Sequence, residues 1–129
     1  MTLIHGAIAL LDNRDDGLAR LSPTLAATFL GCNASAAWTL EARRGLRGVA
    51  EPTADPQAAL VVRKGREHEA ACLAGLKKLY GDSVEIPSGP LKARFAATVD
   101  AMERGVPLIY QAALTAGAWL GYADFLVTR

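Results

Sequence analysis

Apolar residues crowd the stretch from Leu3 to Leu11, and this predicts a strand, or a strand pair turning at Gly6. Asn13 to Gly17 is turn material. Ser22-Pro23 then opens a helix, with Ser22 as N-cap and Pro23 at the first helical position, where a missing N–H costs nothing. That helix runs through Leu25, Phe29 and Leu30 to Gly31. A second begins at Asn33-Ala34-Ser35, presents Trp38 and Ala42 with Ala37 and Leu40 alongside, and ends at Gly45. Residues 45–57 carry Gly45, Gly48, Pro52 and Pro56 and read as a loop.

The strongest helical pattern spans residues 58–79. Val61, Gly65, His68, Cys72, Leu76 and Leu79 recur at spacings of three and four and form one stripe. Gly81-Asp82 turns the chain, Val84-Glu85-Ile86 is a short strand, and Pro87 to Pro90 is a loop. An amphipathic helix follows over 91–104 through Phe95, Val99 and Met102, closed by Gly105. The last pattern is a hairpin: Leu108 to Leu114, a three-residue turn Thr115-Ala116-Gly117, and Ala118 to Val127. Both faces of its second strand are apolar, which predicts burial on both sides. The order of elements makes the fold class α/β, with N-terminal helices packed on a sheet that ends in a β-hairpin.

Two polar residues interrupt these patterns. His68 lies at the centre of the apolar stripe, where a neutral imidazole needs a hydrogen-bond partner or a metal. Gly65 on the same face lowers helix stability and so points to a close approach by another backbone or a ligand. Asp124 sits inside an apolar strand, where an unpaired carboxylate is expensive. It calls for a metal, an arginine or a lysine. Two readings stay open for the pair: convergence on one divalent ion, or a satisfied core histidine and a structural ion pair. A mixed nitrogen and oxygen site suits Mg, Mn or a similar metal.

Composition narrows the picture. The chain has 129 residues, 51% of them hydrophobic and 21% charged, which fits one domain with a real core. The net charge of +1 gives no global pull toward nucleic acid. Between residues 43 and 78, however, eight basic residues face four acidic ones. Arg43, Arg44, Arg47, Arg63, Lys64, Arg66, Lys77 and Lys78 make either a DNA-backbone patch or ordinary solvated helix faces. Cys32 and Cys72 form no CxxC pair and read as reduced thiols. His68 and Cys72 are four apart, a spacing that can bind zinc, with Cys32 as a third candidate. The apolar start lacks a basic n-region and is too short to span a bilayer, so a cytoplasmic protein with no membrane partner is expected. No P-loop, GxGxxG or GxSxG is present.

Three stretches resemble the RecB-like branch of the PD-(D/E)XK nucleases, related to CRISPR-associated and AddB-type exonucleases. Leu21-Ser-Pro-Thr-Leu-Ala-Ala-Thr-Phe-Leu-Gly-Cys32 is similar to an opening helix that ends in a cysteine. Lys64-Gly-Arg-Glu-His-Glu69 fits the G-x-x-H helix motif, and Gly121-Tyr-Ala-Asp-Phe-Leu126 fits the G-x-x-D strand motif. Ile109-Tyr-Gln-Ala-Ala-Leu114 precedes the latter, as in a family of RecB-like nucleases. The resemblance implies a DNA nuclease in which His68 and Asp124 bind Mg or Mn, with Glu69 behind them and Tyr122 packed nearby without an assigned role. It places Cys32 where some relatives hold the first of four iron–sulfur cysteines, so a cluster would need cysteines downstream. The resemblance further implies a next strand with an acidic residue, one spacer and a lysine. No such strand follows Asp124 here, so residues 1–129 are expected to be one truncated nuclease-like domain. Such a domain is expected to be inactive alone and to be completed by a downstream polypeptide or helicase partner. The alternative is a non-catalytic remnant, or a small α/β interaction or DNA-binding module in which His68 and Asp124 pair with each other.

Overall fold

Two proline-led caps start helices in this chain. In the computed structural model, which describes residues 20–49 and 53–128, Ser22 accepts a hydrogen bond from the Leu25 backbone N–H at 3.2 Å and starts α1 (Pro23–Gly31). Asp55 does the same for Gln57 at 2.9 Å and starts α3 (Pro56–Tyr80). Pro56 belongs to this cap and not to the preceding loop. Between them lies α2 (Asn33–Arg43), which ends at Gly45 in a left-handed turn with φ +71. The strand expected over residues 3–11 and the turn at 13–17 lie outside the described residues.

The rest of the chain is β1 (Val84–Glu85), α4 (Leu91–Glu103), β2 (Leu108–Ala116) and β3 (Trp119–Val127). β1 runs parallel to β2, with α4 as the crossover, and β3 returns antiparallel to β2 in the order β1-β2-β3. The fold is therefore mixed α/β. The hairpin is tighter than expected: Ala116 pairs with Trp119, so Gly117 and Ala118 alone make the turn, with Gly117 at φ +59. The Leu21 backbone bridges to the start of β3, with Leu21 N donating to Ala118 O and Leu120 N to Leu21 O. This seats α1 against β3, where Pro23 lies 3.6 Å from the place a Cβ on Gly121 would take.

The core forms between α4 and the sheet. Ile86, Ala101, Val106, Ile109 and Ala112 are buried together, with Ala97, Ala123 and Leu126 against them. β2 continues past the short β1, and α4 side chains take up its backbone groups there. The fully buried Thr98 hydroxyl donates to Arg94 O and accepts from Ala113 N at 3.0 Å, while Arg94 Nη2 donates to Gln111 O at 3.1 Å.

Several expected faces are corrected. Val61, Gly65, His68 and Leu79 are exposed, and the less exposed face of α3 is Glu69, Cys72, Leu73, Leu76 and Tyr80. The two stripes share Cys72 and Leu76, but the observed one is rotated so that Glu69, not His68, lies on the sheltered side. No neighbour lies within 4 Å of a Cβ built on Gly65, so no close approach explains that glycine. On α2, Ala36 is buried and Trp38 is exposed beneath the Arg47 guanidinium, 5.0 Å from the ring centre. β3 is not buried on both sides: it is an edge strand of the described sheet, and Trp119, Tyr122 and Val127 are exposed.

Candidate functional site

A break in strand alternation builds the site. Ile109 and Ala112 face the same core although two residues lie between them, and so do Ala123 and Leu126. A regular strand would send one of each pair to the opposite face. The phase slips at a single step. Gln111 has φ +59, and the ladder passes from Tyr110–Phe125 to Ala112–Ala123 without pairing Gln111 with Asp124. Two consecutive residues on each strand, Tyr110-Gln111 and Asp124-Phe125, are thereby freed from the core pattern.

Glu69 of α3 meets them. Its Oε1 accepts from the Tyr110 hydroxyl at 2.9 Å and from Gln111 Nε2 at 2.6 Å. The same Nε2 lies 3.3 Å from Asp124 Oδ1. The two carboxylate oxygens are thus within about 6 Å of each other, the sum of those distances. The Tyr110 ring stacks on Phe125, with centroids 5.6 Å apart. Behind the strand, the Arg94 guanidinium lies 4.4 Å over the Tyr122 ring, and its buried Nε has no hydrogen-bond partner. The Glu69 carboxylate, by accepting the Tyr110 hydroxyl, raises the pKa of that phenol, with desolvation and the charge of Glu69 acting in the same direction.

The expected site residues divide accordingly. Asp124 reaches the cluster and Glu69 is at its centre. His68 is exposed, and its Nε2 lies 3.5 Å from Cys72 Sγ one turn along the same helix. The pairing of His68 with Asp124 is replaced by a Glu69–Gln111–Asp124 chain, because α3 turns Glu69 rather than His68 toward the strands. Sequence reasoning missed Gln111, Tyr110 and Arg94. The signal for the first two was a Tyr-Gln pair inside the otherwise apolar run Ile109–Leu114.

Glu69 and Asp124 are the residues that would hold an Mg or Mn ion, since hard divalent cations take oxygen ligands and can use only one or two carboxylates, leaving the rest to water and phosphate. Among the described residues, no group of three or more His, Cys, Asp or Glu side chains is placed to hold a metal ion, so an ion here would have only Glu69 and Asp124 as charged protein ligands. An iron–sulfur cluster does not fit: it needs four thiolates, and the chain has two cysteines, with Cys32 exposed between α1 and α2. Part of the basic cluster is neutralised locally, since Arg47 pairs with Glu41, and Arg63 and Lys64 pair with Glu67. A separate apolar groove of about 310 Å³ lies between α1, α2 and Trp119. Among the described residues, no helix is long and apolar enough to cross a membrane. Comparison of the chain with protein-family models, curated proteins and solved structures returns no match.

Proposed function

We propose that the chain belongs to a divalent-metal-dependent DNA nuclease of RecB-like type, with Glu69 and Asp124 as its cation ligands. The observation that carries this reading is the convergence of two carboxylates, from α3 and from β3, on the one amide of Gln111. Glu69 takes the place that the resemblance gives to His68, because it is the acidic or basic group of Gly65–Glu69 that faces the strands. When bound, an Mg or Mn ion would polarise a phosphodiester oxygen and acidify a water molecule. The chain's own residues bind and orient. Glu69 and Asp124 supply negative oxygens, Tyr110 fixes the Glu69 carboxylate through its hydroxyl, and Phe125 braces the Tyr110 ring.

The acidic-x-Lys strand implied by the resemblance is not among these residues, so binding without turnover is the expected behaviour of residues 1–129. DNA, and a helicase domain or further polypeptide that supplies the strand, are the partners of this reading. A second reading, a non-catalytic interaction module, is favoured by one observation: Phe29, Leu30 and Trp119 are exposed around the apolar groove.

Calorimetric titration with Mn²⁺ tests the proposal on the wild type, Glu69→Gln, Asp124→Asn and His68→Ala. One saturable site is expected in the wild type and His68→Ala, lost in both carboxylate variants. Loss in His68→Ala with retention in Glu69→Gln would return the site to His68. A folded wild type that takes up no Mn²⁺ would leave the interaction module as the better reading.

A further inference from the structure

The groove of about 310 Å³ between α1, α2 and Trp119 is lined by apolar side chains, and the one hydroxyl on it, from Ser22, is already engaged in the cap of α1. Around it Phe29, Leu30 and Trp119 remain 58%, 86% and 46% exposed. Apolar surface gathered in this way marks a contact site. The chain enters the described fold at the lip of this groove. Leu21 lines it, and the Leu21 backbone is bonded to β3 through Ala118 O and Leu120 N. The residues before Arg20 therefore start beside the groove.

Among those residues, Leu3 to Leu11 is an apolar run in which only His5 is polar. Ile4 and Ile8 share a face at the helical repeat and at the strand repeat alike. The ten-residue step from Leu11 to Leu21 reaches about 33 Å when extended. The nine residues of α1 cover only about 14 Å, so the run can return along the whole helix. The link carries Asp12, Asp15 and Asp16 against one arginine, Arg14. Next to the groove, and sharing Leu21 and Ser22 with it, lies a hollow of about 450 Å³ lined by Arg20 and Arg43, with Arg43 Nη1 donating to Arg20 O at 3.0 Å. An acidic link thus matches a basic rim.

We infer that the groove is the docking site of this chain's own residues 3–11, with Ile4 and Ile8 set against Phe29 and Trp119. Tethering favours this occupant over a second copy or a separate partner, because a short link holds the segment at an effective concentration on the order of millimolar. Docking would cover the surface that favours the interaction-module reading, and it does not depend on the cation site.

The full chain tests this through its isoleucine methyl signals. It has four isoleucines, and Ile86 and Ile109 belong to the core, so the other two signals are those of Ile4 and Ile8, assigned by their loss in Ile4→Val and Ile8→Val. Trp38→Phe leaves Trp119 as the sole indole. In that background the Ile4 and Ile8 methyls are expected to show nuclear Overhauser contacts to the Phe29 ring and the Trp119 indole. An equal mixture of labelled and unlabelled chains, filtered for contacts between chains, is expected to show none of them. Trp119 emission is expected to move to longer wavelength in the combined Ile4→Asp and Ile8→Asp variant. Ring contacts that pass the between-chain filter would overturn the inference in favour of a second copy. Absence of ring contacts from both methyls, with Trp119 emission unchanged by the aspartates, would overturn it in favour of an external partner.

Discussion

Tyr110 reports on the site through its own proton. Its hydroxyl donates to a carboxylate, and its pKa is raised chiefly by that bond. The neutral phenol is the form that the fold favours. Its contribution to stability is therefore fully present below the unfolded-state pKa, about 10, and is lost as pH rises through the higher folded value. Absorbance titration near the phenolate band, taken as wild type minus Tyr110→Phe, is expected to give a midpoint above the ordinary tyrosine value. Glu69→Gln should bring it down. An unchanged midpoint in Glu69→Gln would mean that the carboxylate does not govern this group. Thr98 makes a complementary point on the other side of β2: one buried hydroxyl serves as donor and acceptor at once, so neither it nor the Ala113 N–H is left unpaired.

At the scale of elements, α3 decides where the site falls. A three-and-four spacing of apolar residues was legible in the sequence, and it did mark a helix. Its orientation was not legible, because two overlapping stripes both include Cys72 and Leu76. Only the packing of β2 selects the one that contains Glu69. The cap at Ser22, the α4 helix and the hairpin were readable from local chemistry, whereas the parallel pairing that makes α4 a crossover was not. The phase slip at Gln111 and Asp124 was not, since a positive φ at glutamine is imposed by tertiary contacts rather than by propensity. That slip explains why an aspartate inside an apolar strand stays tolerable: Asp124 is exposed at the break and is not buried on a regular face. Gly65 was read as a packing glycine, but open space surrounds it. Gly65→Ala is accordingly expected to stabilise the chain by about 0.5–1 kcal/mol, measured by urea denaturation. Destabilisation would place an unseen neighbour against that face.

At the scale of the whole molecule, the described residues form a small sheet with one helix packed in the crossover and a long helix whose first half is exposed. The proposed cation site sits where that long helix meets the distorted centre of the hairpin, and it shares no residue with the apolar groove beside α1. The two features suit different tasks: oxygen ligands at one, and apolar contact at the other. The most direct measurement on the first is Mn²⁺ paramagnetic broadening of the backbone ¹H–¹⁵N spectrum at low metal ratios. Signals of Glu69, Tyr110 to Ala112 and Ala123 to Phe125 are expected to vanish first and together, and to survive in Asp124→Asn. Broadening that begins instead at the surface carboxylates Glu41, Glu67 or Asp100, and is unchanged in Asp124→Asn, would contradict a shared Glu69–Asp124 site.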